Sequence, residues 1–512
     1  FRLDATPLFY FFSSPKDALA SISIWQVLGG IVAMILYASL LYVLFLWIQK
    51  GIWKRMKLPY RRLSVSGVML LLTGLLFIPI RGGFTVSTMN TGKVYFSSNQ
   101  RLNHAAINPA FSLMESLSKQ KDFGKQYRFM EAAQADELIK NLVDPSVLDS
   151  TAMVPDTLRT TLFKTERPNV IFVILESFSS RLMTTLGGEP DVAVQMDSLA
   201  KEGILFTNFY ANSFRTDRGL VAILSGYPAQ PTTSIMKYPR KTQNLPAIAG
   251  SLRDAGYRTK YYYGGDADFT YLMSSGFENI ISDQDFPVSE RLSKWGAHDH
   301  LVFNRLLEDM KAEAADTASA ENARPFFQVL QTSSSHEPFE VPYRRLANDR
   351  LNAFAYTDSC VGDFVKRFRE LPQWKNTVLV LVPDHLGAYP EHLNNLSVDR
   401  YQIPLLLIGG AVSEPRRIDI YGSQHDIAAT LLAQLSLPHQ DFVFSKDMLN
   451  PASPHFAFFA VPDAFGMVTP DNQLIFNCEA NAVAVDEGST KGKNLLPGKA
   501  YLQKLYDDIA KR

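Results

Sequence analysis

The sequence has few cysteines and no net charge, and both deficits exclude classes of protein. Of its 512 residues only two are cysteine, Cys360 and Cys478, and they form no metal-ligand spacing. Their positions do not indicate whether they pair. Basic and acidic residues are equal at 51 each, so bulk charge does not indicate nucleic-acid binding. The chain also lacks internal repeats and low-complexity segments, and residues 1–23 lack a signal-peptide pattern.

Charge is absent from two long apolar runs near the N-terminus. Residues 24–48 are an uncharged run of 25, long enough to span a bilayer, and residues 63–80 are a second run of 18. Between them, residues 50–62 contain six lysines or arginines and no acid. Such basic short loops stay in the cytoplasm, so the chain after about residue 81 is predicted to be extracytoplasmic. The uncharged length disfavours a soluble helical hairpin. Because the N-terminus then lies outside, we expect an odd number of further spans upstream if the full protein starts in the cytoplasm.

Beyond the membrane region, residues 1–81, the pattern divides the chain into three parts. Residues 82–167 show weak periodicity and one amphipathic helix around 129–142, as expected of an extracytoplasmic stalk or linker. From 168 to 440, buried strands alternate with helices, which predicts an α/β fold with a mostly parallel sheet flanked by helices on both faces. Residues 441–512 predict a small C-terminal α+β portion.

Two runs in this region predict strands that are buried on both faces. NVIFVIL, residues 169–175, ends at Glu176, and TVLVLVP, residues 377–383, ends at Asp384-His385. Open α/β sheets place ligand sites at the carboxyl ends of their strands. Two carboxylates with one imidazole suit Mn²⁺ or Zn²⁺, and buried acids are costly without a cation. We therefore predict a divalent-metal site; the alternative is that Glu176 simply begins a loop.

Thr216 lies in the loop SFRTDRG, residues 213–219, where the chain enters a helix. The residues alone favour an N-cap role for its hydroxyl. The same position is where a phosphate would meet the positive end of a helix. A metal held by Glu176, Asp384 and His385 would instead make Thr216 a nucleophile.

Four motifs in this order resemble those of lipoteichoic acid synthase-like phosphoglycerol transferases, membrane members of the alkaline phosphatase/sulfatase superfamily. They are LESF after a buried strand, RTDRG, SSSHEPF, and PDH after a second strand, and they cover residues 168–440. The resemblance implies an enzyme of the bacterial cytoplasmic membrane with its catalytic domain outside. It also implies that Glu176, Thr216, Asp384 and His385 bind one Mn²⁺ ion, with Zn²⁺ or Mg²⁺ as alternatives.

The resemblance further assigns substrate contacts. His336, in SSSHEPF, matches a substrate-side histidine that would stabilise phosphoryl oxygens or protonate the leaving oxygen; a plain loop histidine is the alternative. GGDADF, residues 264–269, matches the segment that contacts the head group, which makes Asp266 and Phe269 candidates. Relatives often carry histidine before this glycine and Trp-Asn-Arg after it, whereas this chain has Tyr263 and Phe-Thr-Tyr. Arg218 would add positive charge near a phosphate, or is structural.

Two other histidine clusters need an interpretation. WGAHDH, residues 295–300, is dense enough for metal binding, but Asp299 directly before a helix is explained more simply as an N-cap. His425 falls where two-metal members of the superfamily place another ligand. Because no second set of acids accompanies Asp384, we expect a single metal, with His425 only as a possible extra ligand.

The reaction implied is transfer of a phosphoglycerol-type head group from a membrane phospholipid to a glycan or polymer acceptor, through a phospho-threonine intermediate. Three alternatives differ in chemistry. A phosphoethanolamine transferase has a similar metal set but is typically disulfide-rich. A sulfatase-like hydrolase needs Cys/Ser-x-Pro-x-Arg, whereas this loop has Thr216-Asp217-Arg218-Gly219-Leu220. An inactive membrane-anchored scaffold would not need intact ligands.

Overall fold

The structure is a computed structural model. It describes residues 24–53, 62–76, 78, 94, 105–118, 123–148, 160–316, 319–387, 389–391 and 393–512. The chain falls into two compact units, Phe1–Lys121 and Asp122–Arg512.

The N-terminal unit contains the helices α1 (Ile24–Trp53), α2 (Arg62–Leu75) and α3 (Pro109–Ser118). Within α1, the 24 residues Leu28–Gly51 are long and apolar enough to cross a membrane, and none of that stretch is buried. At 14 residues, α2 is shorter than a span. In the described part of the chain, therefore, only one helix meets the length requirement, and the second predicted span over residues 63–80 is not supported. Residues 77, 79 and 80 lie outside the described residues.

The second unit is built on strands whose apolar, β-branched residues favour extended backbone. The strands are β1 (Asn169–Leu175), β2 (Ile204–Phe206), β3 (Phe209–Tyr210), β4 (Arg258–Tyr263), β5 (Asn279–Ile281), β6 (Phe326–Gln331), β7 (Thr377–Pro383), β8 (Leu405–Ile408), β9 (Arg416–Ile418), β10 (Gly422–Ser423), β11 (Ala457–Val461), β12 (Ala464–Thr469), β13 (Asn472–Asn477) and β14 (Ala482–Gly488).

Helices connect these strands and cover the sheet. They are α4 (Ala132–Ile139), α5 (Pro145–Leu148), α6 (Val194–Leu199), α7 (Thr216–Ser225), α8 (Pro239–Thr242), α9 (Ile248–Asp254), α10 (Phe269–Ser274), α11 (Asp299–Ala315), α12 (Asp349–Phe368), α13 (Ile427–Gln434) and α14 (Leu495–Lys511).

The main sheet has eight strands in the order β5-β4-β6-β1-β7-β8-β2-β9. Strand β1 lies between β6 and β7 and is parallel to both, whereas β8 is antiparallel to β7 and to β2. A parallel sheet needs apolar cover on both faces, and β1 supplies it by alternation. Val170, Phe172 and Ile174 join one buried cluster, and Ile171 and Val173 join the cluster on the other face. The predicted α/β fold with a mostly parallel sheet is confirmed.

A second, antiparallel sheet, β11-β12-β13-β14, forms the predicted small C-terminal β portion. Part of the predicted stalk packs on helix α14, near the end of the chain. The amide of Gln503 in α14 accepts from the backbone N–H groups of Phe129 and Met130 and donates back to the Met130 carbonyl. Lys504 pairs with Asp136 in α4. The described residues 123–148 are therefore part of the second compact unit.

Candidate active site

The two central strands end side by side and deliver the acidic residues to one point. Strands β1 and β7 stay in register to their last residues, Leu175 and Pro383, so Glu176 and Asp384 follow at the same level. The backbone N–H of Asp384 donates to the Leu175 carbonyl at 3.1 Å. The sequence places these acids at the same sheet edge, and the register of a parallel pair makes them neighbours.

Glu176, Asp384 and His385 form a buried cluster whose potential ligand atoms all lie within 4.8 Å of one another. His385 Nε2 is 3.7 Å from Glu176 Oε1 and 3.5 Å from Asp384 Oδ2. His385 Nδ1 lies 3.0 Å from the Leu386 carbonyl, so Nδ1 carries the proton that donates there. In neutral His385 the lone pair of Nε2 therefore faces two carboxylates.

This donor set suits a divalent cation. Asp384 Oδ2 is buried and has no hydrogen-bond partner, which is costly for a carboxylate oxygen. Burial, together with the charge of Asp384, raises the pKa of Glu176 well above its ordinary value. A cation between the three residues would relieve both penalties, since oxygen and imidazole ligands fit Mn²⁺, Zn²⁺ or Mg²⁺.

Ser177 donates hydrogen bonds to both carboxylates of the cluster. Its φ of +58° is left-handed, and such backbone outliers concentrate at functional sites. The hydroxyl donates to Glu176 Oε1 at 2.6 Å, and the backbone N–H donates to Asp384 Oδ1 at 2.8 Å. Gly387 packs against this turn so closely that a Cβ there would lie 2.3 Å from the Ser177 side chain. A glycine is therefore needed at position 387.

Thr216 is the first residue of α7, and its hydroxyl faces the cluster. The N-cap is Arg215, which makes no side-chain capping bond, so the prediction of an N-cap role for Thr216 is wrong. Thr216 Oγ1 donates to Glu176 Oε2 at 3.3 Å and lies 3.4 Å from His385 Nε2. Gly219 permits this approach, because a Cβ there would lie 2.2 Å from the Asp384 carbonyl oxygen.

Gln424 is a site residue that the sequence did not reveal. It is fully buried, and its amide donates to the carbonyls of Pro383 and Asp384, both at 2.7 Å. Its Oε1 accepts from the backbone N–H of Asn212 at 2.7 Å. Gln424 therefore ties the backbone that carries Asp384 to the backbone that leads into Thr216. No motif or spacing marks such a residue, since its partners are backbone atoms remote in sequence.

His336 is half-buried and held by Trp295. The two rings pack at a centroid distance of 4.0 Å, and Trp295 Nε1 donates to the Glu337 carbonyl at 2.6 Å. His336 Nδ1 lies 3.2 Å from the same carbonyl, which leaves Nε2 as the outward nitrogen. Burial lowers the pKa of His336, and the charges of Asp384 and His385 also reach it.

The predicted head-group residues, Asp266 and Phe269, lie in the GGDADF segment. Asp266 is exposed and Phe269 half-buried. Burial raises the pKa of Tyr263, and the charges of Glu176, Asp384 and Asp266 raise it further, so this phenol lies within electrostatic reach of both the cluster and the head-group segment.

Arg218 is instead engaged with its own surroundings. It is 9% exposed, its Nε donates to the Thr233 carbonyl at 3.0 Å, and its guanidinium lies over the Phe214 ring at 4.9 Å. These contacts favour the structural alternative for Arg218 over a phosphate contact.

Asp299 is not the N-cap of α11. His298 occupies the N-cap position, and Asp299 is the first residue of α11, so the capping prediction is wrong. The Asp299 carboxylate instead accepts from the backbone N–H groups of Ser333 and Ser334, at 2.8 and 3.0 Å, and from the Thr357 hydroxyl at 2.7 Å. It thereby fixes the loop that presents His336.

His425 lies outside the described three-residue cluster. It is fully buried, 2.6 Å from Asn212 Nδ2 through Nδ1 and 3.1 Å from the Tyr501 hydroxyl through Nε2. Burial lowers the pKa of His425 to about 4. Both ring nitrogens are committed to protein partners, so the contacts favour a structural histidine.

A sheet of this order, with a carboxylate–imidazole cluster and a threonine hydroxyl at its carboxyl edge, defines an alkaline phosphatase-like α/β fold. The sulfatase family profile matches residues 168–437, more than half of the chain. The protein therefore belongs to the sulfatase family.

Solved structures agree with this fold. A protein of the alkaline phosphatase superfamily from Vibrio parahaemolyticus superposes with a TM-score of 0.62 at 24% identity, covering 74% of this chain and 97% of that one. The lipoteichoic acid synthase LtaP from Listeria monocytogenes gives a TM-score of 0.59 at 18% identity, covering 75% and 99%. At these identities the comparison establishes the fold alone.

Sequence relatives carry transferase names. Phosphoglycerol transferase I of Xanthomonas campestris pv. campestris is 26% identical over 326 residues, 58% of this chain and 45% of that protein. The lipoteichoic acid synthase-like protein YvgJ of Bacillus subtilis is 21% identical over 317 residues, 55% of this chain and 50% of that protein. The matched region is thus about half the length of these relatives. The predicted resemblance to this group is confirmed.

Proposed function

We propose that this protein is a metal-dependent transferase. It moves a phosphoglycerol-type head group from a membrane phospholipid to an extracytoplasmic glycan or polymer acceptor, through a phospho-threonine intermediate. The observation that carries the proposal is the position of Thr216, the first residue of α7. Its hydroxyl oxygen lies 3.3 Å from Glu176 Oε2 and 3.4 Å from His385 Nε2. The names of the sequence relatives support the same reaction.

Glu176, Asp384 and His385 would hold the cation, Mn²⁺ by resemblance, with Thr216 beside it. A cation in this cluster would neutralise charge on the phosphoryl group and favour the ionised form of the threonine hydroxyl. Thr216, its hydroxyl proton released to solvent, then attacks the phosphorus of the lipid phosphodiester in line, and the bond from phosphorus to the diacylglycerol oxygen breaks. The acceptor oxygen next attacks the phospho-threonine, and the Thr216 oxygen leaves and recovers a proton from solvent. The amino end of α7 supplies positive dipole at the point where the phosphoryl group is transferred.

His336 serves as the proton carrier on the substrate side. Its resting state is neutral, because burial lowers its pKa, and Nδ1 is committed to the Glu337 carbonyl. In that state Nε2 accepts the proton of the incoming acceptor hydroxyl. To protonate the departing diacylglycerol oxygen, the same nitrogen must carry a proton, either taken up from solvent or kept from the acceptor hydroxyl of the preceding turnover. One histidine thus serves both half-reactions in opposite protonation states.

The membrane arrangement is part of the proposal. In this proposal helix α1 anchors the protein, and the run over residues 63–80, of which the 14-residue helix α2 is the described part, completes a second span. The catalytic unit of residues 168–440 with its 441–512 portion then lies outside the cytoplasm. The basic segment between the two runs supports this orientation. An anchored catalytic unit stays where a lipid donor is presented.

The head group has a second candidate. Tyr263 and the Phe-Thr-Tyr run after Asp268 replace residues that relatives often carry, so the head group is open, and phosphoethanolamine is the alternative because its transferases use a similar metal set. Purified full-length protein with Mn²⁺ should release diacylglycerol from phosphatidylglycerol and not from phosphatidylethanolamine. Release from phosphatidylethanolamine alone would reassign the donor. Absence of release from both, in metal-loaded protein, would reject the transferase.

A further inference from the structure

The loop 286–296 carries the two most exposed large aliphatic side chains among the described residues of the second compact unit. Val288 is 79% exposed and Leu292 is 74% exposed, whereas Leu148 follows at 56% and Leu496 at 52%. Two aliphatic side chains this exposed within five residues form a local apolar patch rather than scattered single residues.

This exposure belongs to a well-held loop. Phe286 anchors its beginning at 4% exposure, and Arg291 Nε donates to the Phe286 carbonyl at 2.9 Å across the turn. The end is closed by reciprocal backbone bonds between Ser293 and Gly296 at 3.1 and 3.2 Å. Gly296 has a φ of +107°, which favours glycine. These contacts fix the backbone of the loop, so Val288 and Leu292 are exposed on an ordered loop.

The loop continues directly into the substrate side of the active site. The backbone N–H of Asp283 donates to the Gly265 carbonyl at 3.0 Å, and that of Ala297 donates to the Gly264 carbonyl at 2.8 Å. Residues on both flanks of the loop are therefore hydrogen-bonded to the first two residues of the GGDADF segment. Trp295, at the end of the loop, packs on the His336 ring at 4.0 Å.

The composition of the loop matches a lipid surface. Two aliphatic tips stand in front of Trp295, and Arg291 and Lys294 outnumber the single acid Glu290 within residues 288–295. Tryptophan and basic side chains prefer the head-group level, while aliphatic side chains prefer the acyl region beneath it. The same chain carries the membrane-length helix α1, which favours a bilayer over another protein as the partner of this loop.

We infer that loop 286–296 inserts Val288 and Leu292 into the leaflet from which the lipid donor is taken, with Arg291 and Lys294 at the level of the lipid phosphates. The inference rests on the proposed function for its choice of a lipid substrate. The loop would bring the phosphodiester to the level of the GGDADF segment and His336 while the acyl chains stay in the bilayer.

Depth-dependent fluorescence quenching tests the contact without any turnover. Full-length Cys478→Ser protein, whose remaining Cys360 is buried, is reconstituted in phosphatidylglycerol–phosphatidylcholine nanodiscs containing nitroxide-labelled acyl chains. An environment-sensitive dye on Leu292→Cys should be quenched and shifted to the blue. The same dye on Leu496→Cys, an exposed aliphatic position in α14, should be neither quenched nor shifted to the blue. Absence of quenching at position 292, or equal quenching at both positions, overturns the inference.

Turnover of two donors gives an independent measurement. The Val288→Ser/Leu292→Ser variant should raise the apparent KM for phosphatidylglycerol in nanodiscs about tenfold, since two aliphatic contacts with lipid are lost. Its KM for a short-chain, water-soluble phosphatidylglycerol below the micelle concentration should stay unchanged. The matched control Val483→Ser/Leu496→Ser should change neither value. Equal losses on both donors would overturn the inference.

The two measurements separate this inference from the proposed function. If no donor is turned over but position 292 is quenched, the transferase proposal fails while the lipid contact stands. If both donors are turned over normally in the double variant and position 292 is not quenched, the transferase proposal stands and the lipid contact fails.

Discussion

Ser177 donates its backbone N–H to Asp384 Oδ1 at 2.8 Å, so the residue that follows one potential metal ligand positions another. Its hydroxyl simultaneously donates to Glu176 Oε1 at 2.6 Å. A single serine thus orients carboxylates from both central strands. Partners of this kind tune metal affinity because they fix which oxygen each carboxylate presents.

Ser177→Ala should weaken Mn²⁺ binding about tenfold. The variant keeps the backbone bond to Asp384 and loses only the hydroxyl bond to Glu176. The dissociation constant is measured by calorimetry on metal-stripped protein. Ser180→Ala removes a buried hydroxyl that bonds the Gln402 carbonyl and should leave Mn²⁺ affinity unchanged. Equal losses in both variants would show that Ser177 acts through general stability only.

Thr216→Val should abolish diacylglycerol release, with a loss of about 10³-fold or more, because the nucleophilic oxygen is removed and the shape is kept. Its hydroxyl is not the helix N-cap, so the free energy of unfolding should change by less than about 0.5 kcal/mol. Thr216→Ser should retain measurable turnover and form the covalent phospho-enzyme, detected by mass spectrometry of the intact protein. Undiminished turnover in Thr216→Val would reject the covalent mechanism.

Gln424→Met should lower both Mn²⁺ affinity and turnover about tenfold, at a stability cost of about 1–3 kcal/mol. Methionine has a similar volume but leaves the carbonyls of Pro383 and Asp384 and the N–H of Asn212 without their partner. The link between the metal ligands and the nucleophile loop would then be lost. Calorimetry and chemical denaturation measure the two effects on the same samples.

Gln434→Met is the matched control for Gln424. Gln434 also bridges backbone, accepting from the Leu162 N–H and donating to the Thr160 carbonyl, but it touches neither strand end of the site. We expect it to lose stability and to keep Mn²⁺ affinity. A parallel loss of affinity in both variants would mean that Gln424 has no specific positioning role.

Much of the fold follows from local pattern. Strands β1 and β7 have the predicted bounds. Long runs of β-branched residues are typical of central strands in a parallel sheet, which are buried on both faces. The same reasoning places Glu176 and Asp384 at one edge. The fact that β1 and β7 are neighbours in the sheet depends on packing between segments about 200 residues apart. No local sequence pattern predicts that pairing.

The parts of the site that sequence reasoning missed are those fixed by remote backbone. Thr216 and Asp299 both lie at helix starts, where capping is the usual role for such side chains. In each case a stronger tertiary partner wins: Glu176 for the Thr216 hydroxyl, and the N–H groups of Ser333 and Ser334 for the Asp299 carboxylate. The Gln424 side chain bonds backbone atoms that are remote in sequence, and Ser177 reaches Asp384 through its own backbone N–H, so neither residue type carries a signal in the sequence.

The pH dependence of the two half-reactions should run in opposite directions through the pKa of His336. Burial places that pKa below its ordinary value, so the neutral form is the resting form near neutral pH. Transfer to the acceptor needs neutral His336 and should slow as pH falls through this pKa. Diacylglycerol release needs the protonated form and should slow as pH rises through it.

Rapid-quench measurement of diacylglycerol release and of acceptor modification, each across pH, separates the two limbs. His336→Gln should flatten both and reduce each rate about 10²-fold or more, since proton transfer is lost. His439→Gln, which removes a histidine bonded to Ser146, should preserve both limbs. If the limbs persist unchanged in His336→Gln, another group carries the proton, and the assignment of His336 is wrong.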